Sequence, residues 1–343
     1  MQPRALFMAV LMFAGIHCAS AATVGEREVA VPVSERNAIL HVTVWYPAAP
    51  GGHTVVVGGN AVFRGTSAFG DAPPRNGRFP LILIVHGGLR AAPNVASWLA
   101  SALAARGFVA VVVNPPAIPA GPAKQSVLSE LWLRPADLSA TITAIEKQPM
   151  FAERINTEKI GGVGFFLGGY SMLALAGARL DPKAYMRSCD GSGLNIDCAW
   201  LLKGGVDLHL ADAARLGRSH RDPRLKAAII VDPELTRMLT PRSLSAVSIA
   251  VYVLNLGPAE ATPSFLDASK LTLEIPGVHR SEIQGAGPFS SFAECKPKGP
   301  AILKRSGGET QLCDDGKGAS RAAIHAELAS RIADALEKSF QSH

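Results

Sequence analysis

Six residues, Gly164-Phe165-Phe166-Leu167-Gly168-Gly169, constrain the fold more than any other stretch of this chain. They follow the apolar run Ile160 to Val163 and open a small-residue segment, Tyr170 to Ala178, that reads as a helix. A strand that turns sharply into a helix needs glycines where its backbones crowd. A reactive group at the tip of such a turn would be a hydroxyl or a thiol. The central position instead holds Phe166, whose ring has no lone pair to offer a carbonyl carbon. The same residues announce a strand–turn–helix and deny its tip a nucleophile.

The rest of the chain fits a layered α/β architecture. Glu26 to Val33 and Leu40 to Tyr46 alternate apolar and polar residues and predict a leading antiparallel pair. Ala48 to Arg78 is rich in Gly, Pro and Asn and reads mostly as loop, with a short strand at Val55 to Val57. Pro80 to Val85, Phe108 to Val113 and Ile160 to Phe165 are continuous apolar runs, the pattern of buried parallel strands. Ala91 to Arg106 and Pro135 to Glu146 read as helices between them, and Asn114 to Lys124 as a Pro-rich loop. Leu225 to Val231, Ile249 to Leu254 and Leu271 to Ile275 read as further strands, and Ser320 to Phe340 as a terminal helix. Strands alternating with helices predict a mostly parallel central sheet with helices on both faces. Such sheets carry their sites at the carboxyl ends of strands.

The first 21 residues read as a secretory signal. Arg4 supplies the positive region, Ala5 to Ile16 the apolar region, and Ala19-Ser20-Ala21 the cleavage site. Cys18 raises the alternative of a lipoprotein, but His17 before it is a poor fit to the small residue expected there. The expectation is a single mature domain over 22–343, with an irregular insert at about 181–222, in a periplasmic or secreted protein without a transmembrane segment after cleavage. Four cysteines then remain, and in an exported chain an even number pairs. Three pairings are open; loop-closure entropy favours the local one, Cys189–Cys198 with Cys295–Cys313. No C-x-x-C or H-E-x-x-H spacing occurs, so neither a metal nor a cofactor is expected. The formal charge of +6 falls only by Arg4 on cleavage. The cations are scattered and aromatics make up 6% of residues, so no nucleic-acid groove is expected.

Several landmarks together carry a resemblance. They are Trp45-Tyr46-Pro47, Phe79-Pro80-Leu81-Ile82 leading into His86-Gly87-Gly88, and Leu103-Ala104-Ala105-Arg106-Gly107-Phe108. Further on come Gly164 to Gly169, Gly285-Ala286-Gly287-Pro288-Phe289, and the late cysteine pair followed by Arg321-Ala322-Ala323-Ile324-His325. With these the chain resembles the dienelactone hydrolase-like group of the α/β-hydrolases and, more loosely, platelet-activating-factor acetylhydrolases. The resemblance covers nearly the whole chain after the signal and implies an α/β-hydrolase fold and carboxylic-ester hydrolysis.

That chemistry requires a nucleophile, a histidine base, an orienting carboxylate and backbone donors for the oxyanion. The resemblance places the nucleophile at Phe166, where the family has Ser or Cys, and the base at Pro288, where it has His. A proline can neither take nor give a proton. The acid falls on Glu260 or, by the acetylhydrolase pattern, on Asp232. The oxyanion donors fall on the backbone of Gly88 or Leu89 and of Leu167; the same glycines also serve tight turns. Ser171 is expected to point away from the oxyanion loop, His279 to sit on an exposed strand end, His325 to be structural, and His86 to lack a serine beside it. The expected protein is therefore non-catalytic and binds a small apolar or ester-like ligand or a protein partner. An active ester hydrolase with relocated residues and a silent interaction domain are the competing readings.

Overall fold

The computed structural model describes residues 22–87, 92–114, 130–191, 197–315 and 318–341. The proposed signal, residues 1–21, lies outside them, as does nearly all of the Pro-rich loop after Asn114.

Ten strands form one sheet. They are β1 (Val24–Val33), β2 (Ala38–Pro47), β3 (His53–Val57), β4 (Thr66–Gly70), β5 (Phe79–Val85), β6 (Val109–Val113), β7 (Ile155–Phe165), β8 (Leu225–Val231), β9 (Ala250–Leu256) and β10 (His279–Ile283). Their order is β10-β9-β8-β7-β5-β6-β2-β1-β4-β3. From β6 to β10 every pairing is parallel. β1–β2 is the expected antiparallel pair, and β2 joins the parallel part antiparallel to β6.

The apolar runs explain the layers. Along β5, Leu81, Leu83 and Val85 feed one core while Ile82 and Ile84 feed the other, the period-two alternation of a strand buried on both faces. On the first face lie the helices Leu133–Lys147, through Leu138, Ile142 and Ile145, and Leu167–Ala176, through Met172 and Leu173. On the second lie Ser97–Ala105, through Leu99 and Leu103, and the 21-residue terminal helix Arg321–Gln341, through Leu328, Ile332 and Leu336. The expected α/β architecture, a mostly parallel sheet with helices on both faces, is the observed one.

Two expectations need correction and a third is extended. Leu271 to Ile275 is not a strand: Ser269–Glu274 is a short helix, and the last strand is β10. The alternation Leu-Thr-Leu-Glu-Ile is a coincidence of composition, with Leu271 buried and Leu273 84% exposed. β10 is an edge strand paired only with β9 and half in water, so it can be as polar as His-Arg-Ser-Glu-Ile. The helix after the glycine turn starts at Leu167 and not at Tyr170. Finally, the Gly-rich stretch after β2 is mostly loop, as expected, and its short strand at Val55 to Val57 belongs to a hairpin: β3 pairs antiparallel with β4, and β4 extends the sheet beside β1.

Both local disulfides are present, Cys189–Cys198 and Cys295–Cys313. The first sits in the insert, whose described part is a series of short helices, Pro182–Met186, Cys198–Lys203 and Ala213–Leu216.

Candidate functional site

The glycine turn joins β7 to the helix Leu167–Ala176 at the carboxyl edge of the sheet. Phe166 sits at its tip with φ 53° and ψ −123°. A non-glycine residue there carries strain of about 1–3 kcal/mol, which persists only where its surroundings enforce it. Here they do. The Phe166 N–H donates to the Val231 carbonyl at 3.1 Å, and the Phe166 carbonyl accepts from Gly169 at 2.8 Å and Glu234 at 3.1 Å. The flanking glycines are needed because a Cβ on Gly164 would lie 2.3 Å from the Gly168 carbonyl oxygen, and one on Gly168 2.1 Å from that of Val85.

The space above the tip is filled by rings. Phe166 is 3% exposed, with ring centroids 5.7 Å from His86, 6.1 Å from Phe289 and 6.0 Å from Phe292. His86 also meets Phe165 at 4.9 Å and Phe292 at 4.7 Å, and Phe63 stacks on Phe292. Edge-to-face and offset pairs of this kind contribute about 0.5–1.5 kcal/mol each beyond burial. Pro288 directly precedes Phe289, so the turn bearing it comes to the tip that bears Phe166. The side chains of that turn that approach Phe166, Phe289 and Phe292, are hydrocarbon rings.

That turn is pinned from the terminal helix. His325 Nε2, as a donor, reaches the carbonyls of Ser290 and Phe292, each at 3.0 Å. Its ring stacks on Trp98, 3.7 Å between centroids, and Trp98 Nε1 donates to the Ser291 carbonyl at 2.9 Å. Burial and the nearby Arg321 hold His325 down to about 4, so it is neutral in this role. The buried Arg321 guanidinium pairs with Asp315 and donates to the carbonyls of Phe292, Leu312 and Asp314.

His86, the residue after β5 and the turn of Phe289, form a second pairing that the sequence reading missed. His86 Nε2 lies 3.2 Å from Ser291 Oγ, so the histidine does have a serine beside it. Sequence distance hid the pair: 205 residues separate the two. Ser291 is fully buried, and His86 Nδ1 is buried with no hydrogen-bond partner among the described residues. Burial pushes the His86 imidazole down to about 3, so it is neutral.

The two acid candidates part company. Asp232 follows β8 with φ 41° and is buried. Its carboxyl accepts from Asn255 Nδ2 at 3.0 Å and from the Leu256 N–H at 3.2 Å. Burial raises it to about 7, against the pull of those bonds. Glu260 instead lies exposed on a short turn, Ala259–Ala261. Leu167 is buried at the start of its helix; Gly88 and Leu89 lie outside the described residues. Ser171 is not detached from the oxyanion-loop region: its Oγ accepts from Arg134 Nε at 3.1 Å, and Arg134 also donates to the Gly87 carbonyl at 3.4 Å. His279 is exposed at the start of β10, and His325 is structural, both as expected.

No family model matches the sequence, and comparison with curated proteins finds no match. Solved structures do match. A ferulic acid esterase from Streptomyces cinnamoneus superposes with a TM-score of 0.62 at 16% identity, over 95% of this chain and 92% of that one. The fold is that of an α/β-hydrolase. In all 582 solved chains match, and a likeness at this identity shows the fold alone, so the chemistry is left to be argued from the site. The two disulfides are compatible with an exported protein, and no helix among the described residues is long and apolar enough to cross a membrane.

Proposed function

We propose that this is an exported α/β-hydrolase-fold protein that has no hydrolytic centre at its strand–helix turn and acts by binding. The observation that carries the reading is the phenyl ring of Phe166, held at the strained tip and packed against Phe289, Phe292 and His86. On this reading Phe166 stands at the nucleophile position of the dienelactone hydrolase-like group, Pro288 at the base position and buried Asp232 at the acid position. Leu167, with Gly88 or Leu89, keeps the oxyanion backbone. Residues 1–21 direct export to the periplasm or beyond and are removed. Phe289 and Phe292 keep part of their surface in water. There a small apolar or ester-like ligand, or an apolar segment of a protein partner, would meet the chain.

The test is a p-nitrophenyl acetate and butyrate assay on the purified protein. No turnover above background is expected; turnover abolished by a fluorophosphonate sinks the reading. The double substitution Phe166→Ser with Pro288→His should create measurable esterase activity. A correctly folded but inert double variant would mean that Asp232 or the oxyanion backbone does not take the place assigned to it.

The His86–Ser291 distance favours a second reading, an ester hydrolase with a relocated pair. His86 Nε2 would accept the Ser291 proton as the hydroxyl attacks an acyl carbon. Against it stand the full burial of Ser291 and an imidazole too weakly basic to be an effective general base near neutral pH. Fluorophosphonate labelling mapped to Ser291 by mass spectrometry would favour it over the first reading.

A further inference from the structure

A hollow of about 440 Å³ lies at the opposite end of the sheet from the ring cluster. Glu158 and Lys159 lie near the amino end of the paired part of β7, Lys226 near that of β8, and Ser248 and Ile249 just before β9. Strands rise about 3.3 Å per residue, so six or seven residues put this hollow roughly 20 Å from Phe166. Its volume falls in the range of small-molecule sites.

The lining has two parts. The apolar part is Ala176, Leu225, Ile249 and Phe340, packing surface contributed by the sheet and by two helices on opposite faces of it. The polar part is cationic, with Lys159, Arg221 and Lys226 all lining the same space. Among the described residues none of the three has a carboxylate within 4 Å. Lys226 Nζ donates only to the Pro223 carbonyl, at 3.2 Å. Two acids also line the hollow, and they do not cancel this charge. Asp222 is buried and its oxygens are occupied by Arg224, at 2.7 and 3.0 Å, and by Ser139 at 2.6 Å. Glu158 is exposed and pairs with none of the three cations. Three side-chain cations around one concavity of mixed polar and apolar lining, with one uncommitted carboxylate, leave a local excess of positive charge next to hydrocarbon. Focusing of such a field in a concave site draws anions.

We propose that this hollow is a binding site for an amphipathic organic anion, a carboxylate or sulfonate borne on an apolar body. The body lies against Ile249 and Phe340, and the head takes the Lys159, Arg221 and Lys226 side chains. An inorganic anion would leave the apolar wall unused, and a neutral apolar molecule would leave the cations unpaired. The site is independent of the reading of Phe166.

The test uses the full folded protein, titrated calorimetrically at low ionic strength with 8-anilinonaphthalene-1-sulfonate and with its uncharged relative N-phenyl-1-naphthylamine. Expected are one-to-one binding of the sulfonate, at least about tenfold weaker binding of the neutral dye, and weakening as salt rises past about 0.1 M. The double substitution Lys159→Gln with Lys226→Gln should cut sulfonate affinity about tenfold or more, and Arg221→Gln alone severalfold, while Lys304→Gln, at an exposed lysine outside the hollow, leaves it unchanged. Near-UV circular dichroism confirms that each variant is folded. Absence of binding, equal affinity for the two dyes, or affinity untouched by the lysine substitutions overturns the proposal. Displacement of the dye by equimolar inorganic phosphate also overturns it, since the anion alone would then account for binding.

Discussion

At their carboxyl ends β7 and β8 run into Phe166 and Asp232, both buried and both with positive φ. Near their amino ends the same strands carry Lys159 and Lys226, whose side chains line a hollow. One end is closed by rings, hydrogen bonds and a pinned turn; the other is open and cationic. In α/β sheets ligands are bound, as a rule, at the carboxyl ends. Here the described residues of that end pack as a core, with Phe289 and Phe292 partly in water, and a concavity with uncommitted cations lies at the far side. Where a fold usually places its site and where a given chain keeps free surface are separate questions.

Several substitutions can break or sharpen this contrast. The largest effect is expected from Phe166→Ala. If the ring is structural, removing it leaves a cavity between Phe289, Phe292 and His86 and costs about 3–5 kcal/mol in urea unfolding. A cost below about 1 kcal/mol would mean the closed end is not packed as a core. Next is Cys295→Ala with Cys313→Ala. The bond closes an 18-residue span beside the pinned turn, and its loss should cost about 3 kcal/mol by chain entropy, read as a lowered urea midpoint.

The third prediction concerns acid. His86 and His325 have folded pKa values depressed to about 3 and about 4. The unfolded chain therefore binds more protons below about 6.5, and both residues withdraw stability as pH falls through that window. Asp232 has the opposite sign. Its folded value is raised to about 7, so it returns stability as pH falls from about 7 towards 4. Asp232→Asn removes this offset and should steepen the loss between pH 6.5 and 4 by roughly 2 kcal/mol. An unchanged pH profile of the thermal midpoint would mean that Asp232 is ionised in the folded protein at these pH values. The smallest effect is expected at the open end. Lys159→Gln and Lys226→Gln, half-exposed and without ion pairs among the described residues, should each alter stability by less than about 0.5 kcal/mol; a larger loss would show that the open end is also structural.

Much of the frame was legible in sequence because buried parallel strands leave little freedom. Leu81 to Val85 must satisfy apolar surroundings on both faces, and a continuous apolar run is the only pattern that does so. Edge elements obey no such rule, which is why β10 was hidden in His-Arg-Ser-Glu-Ile and a strand was read into Leu-Thr-Leu-Glu-Ile. The glycine turn was legible because crowding at Gly164 and Gly168 admits no side chain. The pairing of His86 with Ser291 was not, since neither residue has a local pattern that points to the other. Arg134 and Arg321 were missed for a similar reason. A buried arginine satisfied by carbonyls leaves a signal only in three dimensions. That Asp232 is buried and Glu260 exposed is likewise something spacing alone does not report.

The clasp on the turn of Phe289 and Phe292 also orders events in time. The turn packs against Phe63 and Phe166 and is held early in the chain by Trp98, yet three of its fastenings, Cys313, Arg321 and His325, belong to the last part of the chain. As the polypeptide emerges or refolds, the sheet can assemble while its carboxyl edge still shows bare rings to water. Pulsed hydrogen exchange during refolding should accordingly show Phe292 gaining protection together with Arg321–Gln341, later than β5 and β7. Closure of that edge is then a late step of folding, and a chain interrupted before Arg321 would present a greasy face to water.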